Sequence, residues 1–286
     1  MKLAQKLFWS SRPISWINTA FPFAAGYFLV SQQVDALLIV GSLFFLIPYN
    51  LMMYGVNDVF DYESDLRNPR KGGIEGALLE PTYHLPTLLI SLHLPVPFVW
   101  FLFVNGSELA NPVLGIVLFS VLAYSIKYLR FKEIPFLDSI TSAMHFVGPL
   151  IYGVILAGGE INNPTLLLIM VAFYLWGMAS HAFGAVQDIR ADREAGISSI
   201  GTFLGAKLTT RLAFALYLLA GILALFIGDR YSYAFLAVIP YLIVVGRELT
   251  ITDETCELAN RGWKRFIWLN FLAGAIISSL IIGPTW

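Results

Sequence analysis

In the stretch NDVFDYESDLRNPRKGG, from Asn57 to Gly73, the carboxylates Asp58, Asp61, Glu63 and Asp65 are followed by the cations Arg67, Arg70 and Lys71. Asn57, Asp61 and Asp65 recur at i, i+4 and i+8, so a helix places them on one face. A second acidic pair, Asp188 and Asp192, lies in QDIRADREAGISSIGTFLG, again at i, i+4. Like charges at this spacing mildly destabilise a helix, so the pattern calls for a compensating cation. Oxygen donors without Cys or His suit Mg²⁺ or Ca²⁺, and Mg²⁺ typically joins one or two carboxylates to substrate phosphates. Two facing acidic clusters could therefore hold two or three Mg²⁺ ions around a diphosphate.

Diphosphate oxygens also need cationic partners, and Arg can bind them bidentately. Arg67, Arg70 and Lys71 follow the first motif, Arg190 and Arg193 lie in the second, and Lys127, Arg130 and Lys132 occur in YSIKYLRFK. Arg67, Lys127 and Arg130 are the leading substrate contacts. A solvated helix end would explain one acidic motif, and positive-inside placement alone would explain many of the cations. Two acidic motifs of matching form are harder to explain in that way.

The elements that must carry these residues are apolar. The chain is 57% hydrophobic and only 13% charged, with a mean hydropathy of +0.71, against about 25% charged residues in ordinary soluble domains. Lipid is the expected solvent. A net charge of −1 gives no reason to expect a nucleic-acid partner, and the single cysteine, Cys256, excludes an internal disulfide. Lys2, Lys6 and Arg12 precede an apolar run without a clear small-x-small cleavage site, which reads as an uncleaved first span.

Apolar runs near bilayer length predict nine spans, at 14–31, 36–56, 85–104, 111–127, 136–157, 164–186, 208–227, 232–246 and 266–283, the eighth being short. The expectation is an all-α polytopic membrane protein, a single domain over 1–286, with its helices around a central cavity. With this count, every Lys and Arg except Arg230 falls on the side holding the N-terminus. Positive loops face the cytoplasm. That predicts a cytoplasmic-membrane protein with its N-terminus inside, its C-terminus outside and both acidic motifs on the cytoplasmic side. Prolines within spans (Pro22, Pro48, Pro95, Pro97, Pro149 and Pro240) predict kinks.

NDVFDYESD resembles the NDxxDxxxD signature of the UbiA superfamily of intramembrane prenyltransferases, and DIRAD followed by Gly196 resembles its second DxxxD motif. Motif order, separation and span map all agree with that family. The resemblance implies Mg²⁺ as cofactor and an allylic prenyl diphosphate as donor. It implies metal-binding and catalytic roles for Asp61, Asp65, Asp188 and Asp192, with Asn57 as a further metal and substrate ligand. Asp58 occupies a position that varies in the family. Tyr124 resembles the Tyr of the family's basic segment after the fourth helix, and Arg12 in SRPISW resembles an Arg-Pro at the first helix. The wider wording YGVNDVFDYESDLRNPRKGGIEGALL is similar to a branch that prenylates carotenoids, the lycopene elongases of C50 pathways. For that branch the donor is dimethylallyl diphosphate and the acceptor is the terminal double bond of lycopene.

The allylic cation formed on diphosphate departure would have to be shielded from water, and aromatic faces can stabilise it. Tyr54, Phe60, Tyr62, Tyr124, Tyr128, Phe173, Tyr174 and Phe183 lie near the motifs, where packing is their default role. His145 and His181 fall within spans, where buried partnering is the default and proton relay the alternative. Asp138 reads as an interfacial anchor by default, with a cavity carboxylate as the alternative. Within the same enzyme class, the acceptor could instead be a quinone-precursor aromatic acid, chlorophyllide or haem. A secondary transporter is the different-class alternative, although its charges usually lie mid-span and not at span ends.

Overall fold

The computed structural model describes residues 3–66 and 78–283. Among them there are helices and turns but no strand. The chain divides into two units. The first comprises Met1–Phe131 with Gly148–Gly158, and the second Lys132–Val147 with Gly159–Trp286.

The first unit contains α1 (Leu3–Ser10), α2 (Ile17–Ser31), α3 (Ala36–Leu46), α4 (Pro48–Phe60), α5 (Tyr62–Asp65), α6 (His84–His93), α7 (Val96–Asn105) and α8 (Ala110–Ser125). Residues 148–156 of α9 (Leu137–Leu156) also belong to it. Proline punctuates the long apolar runs as its missing N–H requires. Pro48 begins α4 directly after α3, and Pro95 and Pro97 separate α6 from α7. The core is aromatic. The ring of Phe23 lies 5.1 Å from Phe45 and 6.0 Å from Tyr152, and Phe45 lies 5.0 Å from Tyr49. Gly153 permits the approach of α2 to α9, since a Cβ there would sit 2.5 Å from the Phe23 carbonyl oxygen.

The second unit holds the first part of α9, then α10 (Pro164–Val186), α11 (Ile189–Ala195), α12 (Ile200–Leu225), α13 (Ile239–Gly246) and α14 (Asn260–Ile282). Its core combines Phe183, Tyr217, Tyr241 and Phe266 with small residues such as Ala179, Ala182 and Ala213. Helix α12 breaks at Gly205 (φ 76°, ψ 163°), a region that is essentially open to glycine alone.

Six helical stretches among the described residues are long and apolar enough to cross a bilayer: Ala36–Phe60, Pro81–Asn105, Leu137–Leu156, Pro164–Val186, Ile200–Leu225 and Cys256–Ile282. Ile17–Ser31 and Ala110–Ser125 are shorter apolar helices at the expected first and fourth spans. The all-α membrane expectation is met, and among the described residues the count of nine is not confirmed. The expected eighth span, 232–246, is a 3-10 stretch, Asp229–Ala237, followed by the eight residues of α13. Neither piece alone spans ~30 Å of hydrocarbon.

Candidate active site

The first acidic motif keeps its helical register past the end of α4. The Asp61 N–H donates to the Asn57 carbonyl at 2.9 Å, and the Asp65 N–H to the Asp61 carbonyl at 2.8 Å. Asp61 and Asp65 are buried, each 8% exposed. Asn57 Nδ2 donates to Ser125 Oγ on α8 at 3.0 Å. With that nitrogen committed, Oδ1 is the atom the side chain can offer a cation. Ser125 was not among the residues expected from the sequence, because a serine ending an apolar helix carries no signal of its own.

A cation also arrives. Arg130 Nη2 lies 3.5 Å from Asp61 Oδ1. The chain leaves α8 through two left-handed residues, Tyr128 (φ 78°) and Arg130 (φ 40°). Such conformations are uncommon outside glycine and cost on the order of 1–3 kcal/mol each. Lys127 does not join Arg130 at Asp61. Its Nζ sits 5.4 Å from the ring centre of Tyr128, which is itself 90% exposed. Tyr124 is half-buried, one residue before the serine that holds Asn57. Arg67, Arg70 and Lys71 lie outside the described residues.

Asp58 has a separate role. It is 1% exposed and pairs with Arg12 Nη2 at 3.0 Å, while the Arg12 guanidinium lies 4.1 Å over the Tyr54 ring. Burial opposes the Arg12 charge, but Asp58 first and Tyr54 next outweigh it and hold its pKa above the ordinary value. The arginine expected from SRPISW is thus a half-buried counter-ion to a buried carboxylate, and Tyr54, a candidate cation cradle, already faces a guanidinium.

The second motif is held by Ile189 in the core and by polar contacts around α11. Gln187 is anchored through Nε2 to the Gly184 carbonyl at 2.9 Å, and its Oε1 accepts from Asn260 at 2.6 Å. Asp188 and Asp192 keep helical register, the Asp192 N–H donating to the Asp188 carbonyl at 2.8 Å. Helix α11 ends at Gly196 in the left-handed region (φ 70°), as a C-terminal cap requires. Ser199 then caps α12 and donates to Asp192 Oδ2 at 3.5 Å.

Arg193 and Arg190 brace loops in this structure. Arg193 pairs with Asp253 at 2.7 Å and donates to the Thr202 carbonyl at 3.2 Å, and Arg190 pairs with Glu257 at 3.5 Å. Asp253 Oδ1 also accepts the Ala206 N–H, at 2.6 Å, where α12 restarts after Gly205. That N–H bond is the first cause, and the Arg193 pairing a further one, of an Asp253 carboxyl held below its ordinary pKa against the opposing effect of burial.

Asp138, expected at a membrane interface, is instead fully buried. Its carboxylate accepts the N–H groups of Ile200 and Ser139, both at 2.6 Å, tying the start of α9 to the start of α12. His181 Nε2 lies 3.6 Å from Asp138 Oδ2. Of the other aromatic candidates, Phe183 packs on Phe266, and Tyr174 donates to the Ile140 carbonyl at 2.7 Å. Cys256 is free and buried.

Among the described residues, no group of three or more His, Cys, Asp and Glu side chains is gathered closely enough to hold a metal by itself. The donors of the two motifs are nevertheless all oxygens, which suits a hard divalent cation whose shell is completed by phosphate and water. Asn57, Asp61 and Asp65 fit such an ion in their register and burial, as do Asp188 and Asp192 in theirs.

The sequence model of the UbiA prenyltransferase family matches residues 19–271. The chain is 50% identical over 281 residues to the C(50) beta-cyclic carotenoids biosynthesis protein LbtBC of Dietzia sp., covering 98% of this chain and 65% of that longer protein. It is 47% identical over 273 residues to lycopene elongase/hydratase of Corynebacterium glutamicum, covering 96% of this chain and 95% of that one. Its fold matches a UbiA homolog from Archaeoglobus fulgidus bound to GPP and Mg²⁺, with a TM-score of 0.72 at 18% identity over 96% of this chain and 99% of the other.

Proposed function

We propose that this chain, which belongs to the UbiA prenyltransferase family, transfers a dimethylallyl group from dimethylallyl diphosphate to lycopene in a Mg²⁺-dependent reaction. The acceptor and donor follow from its similarity to relatives named for lycopene elongation and C50 carotenoids, since added C5 units require a C5 donor.

One observation carries the reaction class here: a buried ladder of oxygen donors, Asn57, Asp61 and Asp65, with the guanidinium of Arg130 at Asp61. Mg²⁺ held by this set, and Mg²⁺ held by Asp188 and Asp192, would act as a Lewis acid on the leaving diphosphate. Arg130 adds a fixed positive charge where negative charge develops as the C–O bond breaks. Lys127, Arg67, Arg70 and Lys71 are further candidate diphosphate contacts, and Tyr124 a catalytic one. Ser125 fixes the amide of Asn57. The long apolar helices carry the reaction into a medium that excludes water and dissolves the acceptor. The proposed setting is the cytoplasmic membrane, with the N-terminus and both motifs on the inner side, the C-terminus outside and no nucleic-acid partner.

The test is expression in a lycopene-producing host, followed by mass analysis of the extracted pigments. Pigments carrying added C5 units are the expected result. Unchanged lycopene beside a prenylated aromatic compound would move the acceptor to another class, and failure to release diphosphate in the presence of Mg²⁺ would remove the reaction altogether.

A further inference from the structure

We propose that His181 is the base that ends the reaction, taking the proton released when the product cation is neutralised. This rests on the prenyl-transfer reading above. When the allylic C–O bond breaks, its electron pair leaves on the diphosphate oxygen. The π pair of the acceptor's terminal alkene forms the new C–C bond and leaves a tertiary cation. Two routes neutralise that cation. An adjacent C–H bond can give its pair to a new C=C bond, or water can form a C–O bond and shed a proton. Either route delivers one proton to a base.

The geometry points to His181 in four ways. First, His181 lies on α10 five residues before that helix ends at Val186, and Asp188 follows directly after the turn there. His181 therefore lies roughly 8 Å deeper along the axis than the end of α10 that leads into the motif. A diphosphate bound at the motif leaves its hydrocarbon, and hence the cation, on that deeper side. Second, His181 Nε2 faces the buried Asp138 carboxylate at 3.6 Å. With the proton on Nε2, Nδ1 carries the lone pair that would accept, and the imidazolium so formed has a counter-ion in place. Third, the Asp138 carboxylate already receives two backbone N–H groups, so it does not need the histidine for its own satisfaction. The His181 side chain is 17% exposed while that of Asp138 is fully buried, which makes the ring the accessible member of the pair. Fourth, Gly177, one turn earlier on α10, admits the close approach of α9 that the pair requires. A Cβ there would lie 3.2 Å from Ala143 Cα. An ionisable side chain within so apolar a helix is costly and tends to mark function.

The experiment compares wild type, His181→Ala and His181→Gln in membranes with dimethylallyl diphosphate, lycopene and Mg²⁺, after matching the variants for inserted protein. Both variants should lose roughly a hundredfold or more in kcat, with KM for the diphosphate unchanged. Added imidazole should restore part of the His181→Ala rate and shift the ratio of alkene to alcohol products. An inserted variant of either kind with wild-type turnover and product ratio would overturn the assignment. So would a low rate in inserted His181→Ala that imidazole leaves untouched, because a merely structural histidine behaves that way. If the Ala variant fails to insert, the kcat-against-KM split of the Gln variant decides. Asp61→Asn, run alongside, separates the two readings. If it still releases diphosphate normally, the prenyl-transfer site itself is misplaced. If it is inactive while His181→Ala is fully active, only the base is.

Discussion

The two acidic motifs share a spacing but not a support. Asp61 and Asp65 are buried and sit on a nearly unbroken run of i→i+4 hydrogen bonds, beside Arg130. Asp188 and Asp192 are half-exposed on a short helix. That helix is placed by Ile189, buried in the core of the second unit, and by Gly196, the Ser199 cap and the Arg193–Asp253 pair. The same carboxylate pattern can thus be held on the continuation of a long buried helix or on a short helix that joins one core side chain to polar contacts. The first route makes geometry depend on the core, whereas the second adds a dependence on polar contacts that solvent can replace.

The largest expected effect would abolish the difference between the motifs. Asp61→Asn and Asp188→Asn should each reduce diphosphate release by at least about 10²–10³-fold while leaving the protein inserted. An inactive first motif with an active second, or the reverse, would show that only one of them is catalytic. Next, Arg12→Met should destabilise the first unit by roughly 3–5 kcal/mol, because it removes the guanidinium paired with the buried Asp58 carboxylate. The double variant with Asp58→Asn should recover much of that loss in a detergent unfolding assay. A smaller effect is expected from Gly205→Ala. Forcing a side chain into that backbone conformation, against Asp253, should cost about 1–3 kcal/mol and lower the melting temperature of the second unit.

The smallest expected effect is a pH dependence. Asp253 titrates below its ordinary value when folded, so its contribution is fully present above the unfolded value of about 3.9. It is lost as the pH falls through the lower, folded value. The difference in melting temperature between wild type and Asp253→Asn should therefore be constant near neutrality and shrink on acidification below about pH 4. A difference that grew on acidification would contradict the assignment.

Much of the site was legible because carboxylate spacing is a local property. An i, i+4 pattern at the end of an apolar run survives any tertiary arrangement that keeps the helix, and Asn57, Asp61, Asp65, Asp188 and Asp192 do keep it. The roles of the basic residues were not legible. Arg130, Arg190, Arg193 and Arg12 look alike in sequence, yet one reaches a motif carboxylate, two brace loops and one neutralises a buried aspartate. The partner of a long, flexible cation is chosen by whichever carboxylate the fold brings within reach. The same holds for Asp138, whose partners Ile200 and His181 lie on later helices.

By itself the sequence determined the solvent, the all-helical class and the register of both acidic motifs. Each of these depends on composition or on neighbours within a few residues. Tertiary structure alone decided where the long runs break, that 232–246 is not one continuous helix, and which charges meet. Those outcomes depend on backbone bends at Pro48, Pro95 and Gly205 and on contacts between residues far apart in the chain.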